Sequence, residues 1–119
     1  MANLFQETLE IMQEHNKTPE DVDWVGSIDG EYVCTWEEFV KLADREYNNR
    51  WNLPQVAMDL VIVFKDGSWL ERYVCDEREQ SEWWEFKQTP KKKEQTKKIK
   101  QLFADDADYI GWAFLKDLH

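Results

Sequence analysis

The sequence predicts an α+β fold in which an antiparallel sheet, made of a hairpin and a three-strand meander, packs with three to four helices. Three observations lead to this prediction. Two helical segments begin with capping residues, two Asp-Gly pairs separate strand-like runs, and the segment 58–64 is apolar on both faces. We take residues 1–119 as a single domain, because a chain of this length can bury its own core and no linker interrupts it.

The first helix is predicted over residues 3–15. Apolar side chains recur there at helical spacing, and Asn3 with Gln6 forms a capping-box pattern. Asn16 suits the left-handed position that ends a helix. The following Thr-Pro-Glu-Asp, residues 18–21, predicts one short helical turn, because Thr caps, Pro fits the first position and the acids complement the dipole.

A hairpin and a second helix come next. Residues 24–28 and 31–34 alternate as strands around a two-residue turn at Asp29-Gly30. Thr35 and Glu38 form a second capping box, so the chain should enter a helix there. We expect this helix to end at residues 48–49 and to bury one stripe of side chains: Phe39, Val40, Leu42, Ala43 and Tyr47.

The meander begins with the most apolar strand, residues 58–64, which should be central because both of its faces are apolar. Asp66-Gly67 turns the chain into a strand over residues 68–75, and a polar loop leads to a strand over residues 82–87. Thr89-Pro90 should open a third helix toward Phe103. The tail from residue 107 to 118 fits a helix or a strand, and we favour the helix.

Charge is unevenly distributed along the chain. The net charge is −10, with −13 on residues 1–86, +6 on residues 87–100 and −3 on the remainder. An acidic body repels nucleic acid and anionic membranes, and no apolar run approaches the length of a membrane span. The N-terminus has neither a basic region nor an apolar stretch, which predicts a cytoplasmic protein with Cys34 and Cys75 as reduced thiols.

Catalytic patterns are scarce. His15 and His119 lie far in sequence from any candidate nucleophile, and neither a Gly-rich phosphate loop nor a nucleophile elbow is present. Two histidines and two distant cysteines lack the spacing of a zinc site. We therefore predict no catalytic residue, no metal and no cofactor, and expect a binding protein rather than an enzyme.

Seven tryptophans are the most unusual feature of the composition. Large aromatics usually fill the core of a small domain, but an exposed indole can contact a sugar, a base or a partner side chain. Trp83 and Trp84 must point to opposite faces of their strand, so one of them is a candidate for exposure. Loop and outer-strand positions yield five candidate partner-binding residues: Glu77, Glu79, Trp83, Glu85 and Trp51.

Two alternatives remain open at this stage. The first is a nucleic-acid module that uses the lysine segment 91–100 and in particular Lys91, Lys92, Lys93, Lys97 and Lys98. A solvated surface is the simpler interpretation of that segment, because it contains no arginine for bidentate base recognition. The second is a small-ligand or enzymatic domain with a tryptophan-lined pocket.

Two stretches carry a resemblance. Residues 18–27 (TPEDVDWVGS) and 59–87, with the strings WLER (69–72) and SEWWEFK (81–87), resemble small uncharacterised proteins of phages and prophages of Gram-positive bacteria. The resemblance extends over roughly residues 1–95 and brings no assigned activity or site residue. It implies an interaction with a host protein, such as inhibition of a nucleic-acid-handling or defence enzyme, with nucleic-acid mimicry by the acidic surface as one route. The expected compartment is then the cytoplasm of the bacterial host.

Overall fold

The computed structural model describes residues 1–49, 53–75, 82–104 and 113–119. They form two compact units, residues 1–89 and residues 90–119. The first unit is α+β, with two α-helices, a five-stranded antiparallel sheet and a two-stranded sheet. The predicted fold class is confirmed at this level, whereas the prediction of three to four helices is wrong. No helix among the described residues is long and apolar enough to span a bilayer.

The elements of the first unit follow one another closely. They are β1 (Ala2–Asn3), α1 (Leu4–Glu14), a 3-10 turn (Pro19–Asp21), β2 (Val22–Ser27), β3 (Val33–Cys34), α2 (Trp36–Ala43), β4 (Glu46–Tyr47), β5 (Leu60–Phe64), β6 (Trp69–Val74) and β7 (Glu82–Lys87). The large sheet has the order β3-β2-β5-β6-β7, and all of its neighbouring pairs are antiparallel. The predicted central position of β5 and the predicted meander β5-β6-β7 are confirmed.

Local capping explains where α1 begins and ends. The Asn3 side chain accepts a hydrogen bond from the Gln6 N–H at 3.0 Å, and Asn16 has the positive φ of a left-handed stop, +58°. Both features agree with the predicted helix. The 3-10 turn at Pro19–Asp21 also lies where the sequence predicts it.

The predicted end of α2 is wrong. The helix stops at Ala43 rather than at residues 48–49, and Tyr47 lies buried in β4, which pairs with β1. Leu42, expected in the buried stripe, is 73% exposed. Since β4 pairs with β1 next to the start of α1, this small sheet fixes the chain between α2 and the connector to β5.

The hairpin between β2 and β3 has a longer loop than predicted. The Ser27 N–H donates to the Tyr32 carbonyl at 2.8 Å, so the loop comprises residues 28–31 instead of two residues. The Asp29 carboxylate holds this loop by accepting from the Ser27 hydroxyl at 2.6 Å and from the Glu31 N–H at 3.0 Å. Gly30 has a φ of +78°, as the Asp-Gly pattern requires.

One face of the sheet carries the core. The side chains of Val25, Ile62 and Leu70 follow one another across neighbouring strands and are fully buried. The helices pack on this face, because Phe39 and Ala43 of α2 belong to the same apolar cluster and Thr8 of α1 accepts a hydrogen bond from Trp84 at 2.9 Å. The first unit is therefore a helix layer on a sheet.

A buried charge network joins this layer to the connector before β5. Arg72 donates to Glu82 and to the Tyr47 hydroxyl, at 3.1 and 3.2 Å. The Glu82 carboxylate also accepts the backbone N–H groups of Gln55 and Val56, at 2.7 and 3.1 Å. Arg72 and Glu82 each have about 1% of their side chain exposed. The pair thus holds residues 55–56 against the sheet.

The described residues of the second unit, 90–104 and 113–119, contain little regular structure. Residues 90–104 form no helix, so the helix predicted from Pro90 to Phe103 is wrong, and Ile99, Leu102 and Phe103 are exposed. A 3-10 turn spans Leu115–Leu118. The rest of the predicted tail helix falls mostly on residues 105–112, which lie outside the described residues.

Candidate functional site: an acidic, tryptophan-lined groove

A groove of about 650 Å³ lies between the 3-10 turn, the first half of β2, β3 and the start of α2. We call it the acidic groove. Its size falls in the range of ligand and side-chain pockets. Six of its lining residues give it its chemistry, four carboxylates and two indoles: Glu20, Asp23, Glu37, Glu38, Trp24 and Trp36.

Two capped turns build the rims of the acidic groove. At the first rim, the Asp21 carboxylate accepts the Thr18 N–H at 2.7 Å and the Thr18 hydroxyl at 3.1 Å. These two hydrogen bonds hold the pKa of Asp21 below its usual value. At the second rim, Thr35 and Glu38 exchange capping-box hydrogen bonds at 3.2 and 3.1 Å. Both rims are thus fixed by local sequence, which presents their acids in defined positions.

The charge of the groove is strongly negative. Glu20, Asp23, Glu37 and Glu38 are all exposed, and Lys65 is the single basic residue among the described lining residues, which therefore carry a net charge of −3. Two of these acids stand in the first turn of α2, where they also complement the helix dipole. The other two come from the 3-10 turn and β2, so the dipole does not account for the whole cluster.

The two tryptophans of the groove are positioned by different parts of the fold. Trp36 is half-buried and contacts Phe39 and Phe5, with ring centroids 5.5 and 6.4 Å apart. Trp24 lies opposite Val63 in β5, just after a register irregularity between residues 22 and 24. Such irregularities redirect the side chains next to them, and here the displaced residue is Asp23. An acid and an indole are thereby brought to the same groove.

Cys34 also lines the groove but is not an activated nucleophile. Burial, and then the nearby charge of Glu38, raise the pKa of the Cys34 thiol above its usual value. A thiol of this kind stays protonated at neutral pH. His15 is stacked on Phe86, with centroids 4.0 Å apart, and does not line the groove. Within the described ranges, no three His, Cys, Asp or Glu residues are grouped to hold a metal ion.

The structure places two of the five predicted partner-binding residues on β7, away from the acidic groove. Trp83 and Glu85 are half-buried on β7, which β5 and β6 separate from β2, and the Trp83 Nε1–H donates to Glu85 at 3.1 Å. The Trp83 ring also lies 5.0 Å from Tyr73. The other three residues, Glu77, Glu79 and Trp51, fall outside the described residues. Of the two described residues, neither Trp83 nor Glu85 is found in the lining of the acidic groove.

The five predicted lysines lie in the second unit. Lys91, Lys92, Lys93, Lys97 and Lys98 are all exposed, and their segment forms no helix. The helix that the sequence predicted for this segment is therefore absent, and whether these lysines bind nucleic acid stays a prediction.

Sequence reasoning missed Trp24, Trp36 and the four groove acids as a group. The available signal was local: each capped turn carries acids, and each has a tryptophan close by in sequence, Trp24 after the turn at 18–21 and Trp36 just after Thr35. What the sequence does not contain is the hairpin geometry that brings the two turns side by side.

Comparison with protein-family models, with curated proteins and with solved structures finds no match for this chain.

Proposed function

We propose that this chain is a small acidic binding protein that contacts a basic surface of a partner protein through the acidic groove. Four carboxylates and two indoles around one cavity carry the proposal. Carboxylates pair with ammonium and guanidinium groups, and an indole face attracts the same cations through its quadrupole. The combination suits a lysine or arginine side chain.

Charge makes a protein partner a better candidate than nucleic acid at this site. A groove with a net charge of −3, on a chain with a net charge of −10, repels phosphates. The same charge speeds the encounter with a basic partner. The resemblance to phage proteins makes a host nucleic-acid-handling or defence enzyme the first class of partner to test, because such enzymes carry basic clefts that an acidic surface can occupy.

General acidity for solubility is the competing explanation, and a matched pair of variants separates the two. Glu20→Lys/Glu37→Lys reverses two charges in the groove, whereas Glu10→Lys/Glu14→Lys reverses two exposed charges on α1. Both variants change the net charge by the same amount. Proteins retained from a bacterial lysate by the wild-type chain are identified and purified, and their dissociation constants for all three chains are measured.

We expect the groove variant to weaken binding at least tenfold, about 1.4 kcal/mol or more, and the α1 variant to weaken it less than threefold. Equal weakening by both variants would mean that net charge alone drives the contact. Unchanged binding by the groove variant would move the contact to another surface.

A further inference from the structure

The strand β3 forms one edge of the large sheet. The Ser27 N–H donates to the Tyr32 carbonyl, so these two residues form a hydrogen-bonded pair of the antiparallel ladder. Such pairs alternate, and the next pair, Gly26 with Val33, is therefore of the other kind. The alternation points the N–H and C=O of Val33 away from β2. Within the part of the chain that the structure describes, no strand pairs with that side of β3.

A second cavity, of about 380 Å³, is lined in part by the same strand residues. Its lining is mainly apolar and includes Tyr32, Ala57 and Leu60. Val33 and Cys34 line both this cavity and the acidic groove. The two cavities therefore meet at β3, one strongly acidic and the other apolar.

The hairpin exposes an unusual amount of apolar surface around this edge. Ile28, Tyr32 and Val33 are 60%, 72% and 67% exposed. Proteins protect a sheet edge by keeping the edge strand short, or with charged residues, proline or a bulge. β3 is two residues long, but residues 31–34 (Glu-Tyr-Val-Cys) contain neither lysine nor proline. Exposed apolar side chains beside an unpaired edge are typical of a contact surface.

We propose that an extended segment of the partner adds to the sheet as a strand along β3. The segment hydrogen-bonds to the outward N–H and C=O of Val33, places a lysine or arginine side chain in the acidic groove, and places an apolar side chain in the second cavity. This inference rests on the proposed function, and it specifies the partner's binding element as a strand that carries basic and apolar residues.

Charge argues for a basic partner over a second copy of this chain. Each chain has a net charge of −10, so strand addition by a second copy would bring two strongly acidic surfaces together. A basic segment instead neutralises the groove acids. The continuity of the acidic groove with the apolar cavity across Val33 then lets one segment use both.

The test uses three blocked hexapeptides of alternating lysine and valine. One is unmodified, one carries methyl groups on the backbone nitrogens of its lysines, and one carries them on the backbone nitrogens of its valines. In a strand added to β3, the backbone N–H groups of either the lysines or the valines point toward β3, and those of the other residue type point away. Methylation of the residues that face β3 therefore blocks hydrogen bonding to β3, whereas methylation of the others does not. The dissociation constant of each peptide is measured by calorimetry, and the Val33 amide is followed by NMR.

We expect one methylated peptide to bind at least tenfold more weakly than the unmodified peptide, the other to bind within threefold of it, and the Val33 amide signal to shift. Val33→Pro, which removes the outward N–H while leaving the β2 ladder intact, should also weaken the unmodified peptide tenfold. If this variant fails to fold, the comparison of the two methylated peptides on the wild-type chain still decides the matter.

The possible failures are distinct. Equal binding of both methylated peptides, with Glu20→Lys/Glu37→Lys still weakening them, would overturn strand addition and leave the proposed function standing. Binding that this groove variant does not weaken would overturn both. A dimer of the chain alone in sedimentation, dissociated by Val33→Pro, would show that a second copy occupies the edge and would likewise overturn the inference.

Discussion

Removing the Glu82 carboxylate should destabilise the protein severely, although the side chain lies outside the acidic groove. Glu82→Ala leaves the buried Arg72 guanidinium without its counter-charge and removes the acceptor for two backbone N–H groups in the connector. Arg72 then keeps only the neutral Tyr47 hydroxyl among its hydrogen-bond acceptors in the described residues, where its Nε and Nη1 atoms have no hydrogen-bond partner. Breaking a buried ion pair from one side costs about 3–5 kcal/mol.

That cost is a large part of the stability of a domain this small, which is about 5–15 kcal/mol. With a urea dependence of about 2 kcal/mol per molar, the midpoint of urea unfolding should fall by about 2 M. Tryptophan fluorescence reports the transition. The double variant Arg72→Met/Glu82→Leu removes both charges and should retain more stability than Glu82→Ala, since no unpaired charge is left behind.

Either of two results would refute this reasoning. One is a loss below about 1 kcal/mol for Glu82→Ala, which would mean that water reaches the pair despite its burial. The other is a double variant no more stable than the single one, which would mean that packing of the Glu82 stem rather than its charge holds the connector.

Three further predictions concern the core, the edge strand and pH. Thr8→Val removes the acceptor of the Trp84 Nε1–H. Because Thr8 is fully buried, we expect the free energy of unfolding in urea to fall by about 1–3 kcal/mol, and a fall under about 0.5 kcal/mol would contradict the role of this hydrogen bond. Gly26→Ala places a Cβ only 2.0 Å from a backbone oxygen of the hairpin, so it should displace β3, accelerate amide exchange there and cost about 1–3 kcal/mol; unchanged exchange would refute the close approach. Hydrogen bonds from the Lys17 ammonium, and then from Ser68, hold the pKa of Asp66 below its value in the unfolded chain. The ionised Asp66 therefore adds to the free energy of unfolding above about pH 4, and this stabilisation is lost as pH falls through the folded pKa. Asp66→Asn should therefore flatten the acid side of the stability profile, and an equally steep profile would exclude this pair as a cause.

Local signals predicted the elements that depend on few residues. The capping residues Asn3 and Thr35 mark the starts of α1 and α2, and the two-sided apolar run of β5 predicts its central position. These features need only neighbouring residues, or the burial of one segment, to be decided.

Features that depend on distant partners escaped prediction. Tyr47 fits a helical stripe in sequence. In the structure its hydroxyl donates to Glu7 and accepts from Arg72, and its strand β4 pairs with β1. The lysine-rich segment 91–100 has the composition of a helix. Its one apolar residue, Ile99, is exposed, as are Leu102 and Phe103 just after it, so burial of an apolar stripe does not stabilise a helix there.

The candidate site was missed for a similar reason. Selecting Trp83 and Glu85 relied on their place in an outer strand, which says nothing about where a cavity forms. The acidic groove lies where the capped turn before β2 meets the capped turn after β3. The register irregularity at Asp23 and Trp24, which also line the groove, has no clear signal in the sequence.

The most direct test of the groove as a cation site is the NMR signal of the seven indole N–H groups during titration with N-acetyl-arginine amide. Single Trp→Phe substitutions assign the signals. We expect the signals of Trp24 and Trp36 to shift at millimolar concentrations, with Trp83 unchanged, and the shifts to vanish in Glu20→Lys/Glu37→Lys. Shifts confined to other tryptophans, or unaffected by that variant, would contradict the assignment of the acidic groove as the binding site.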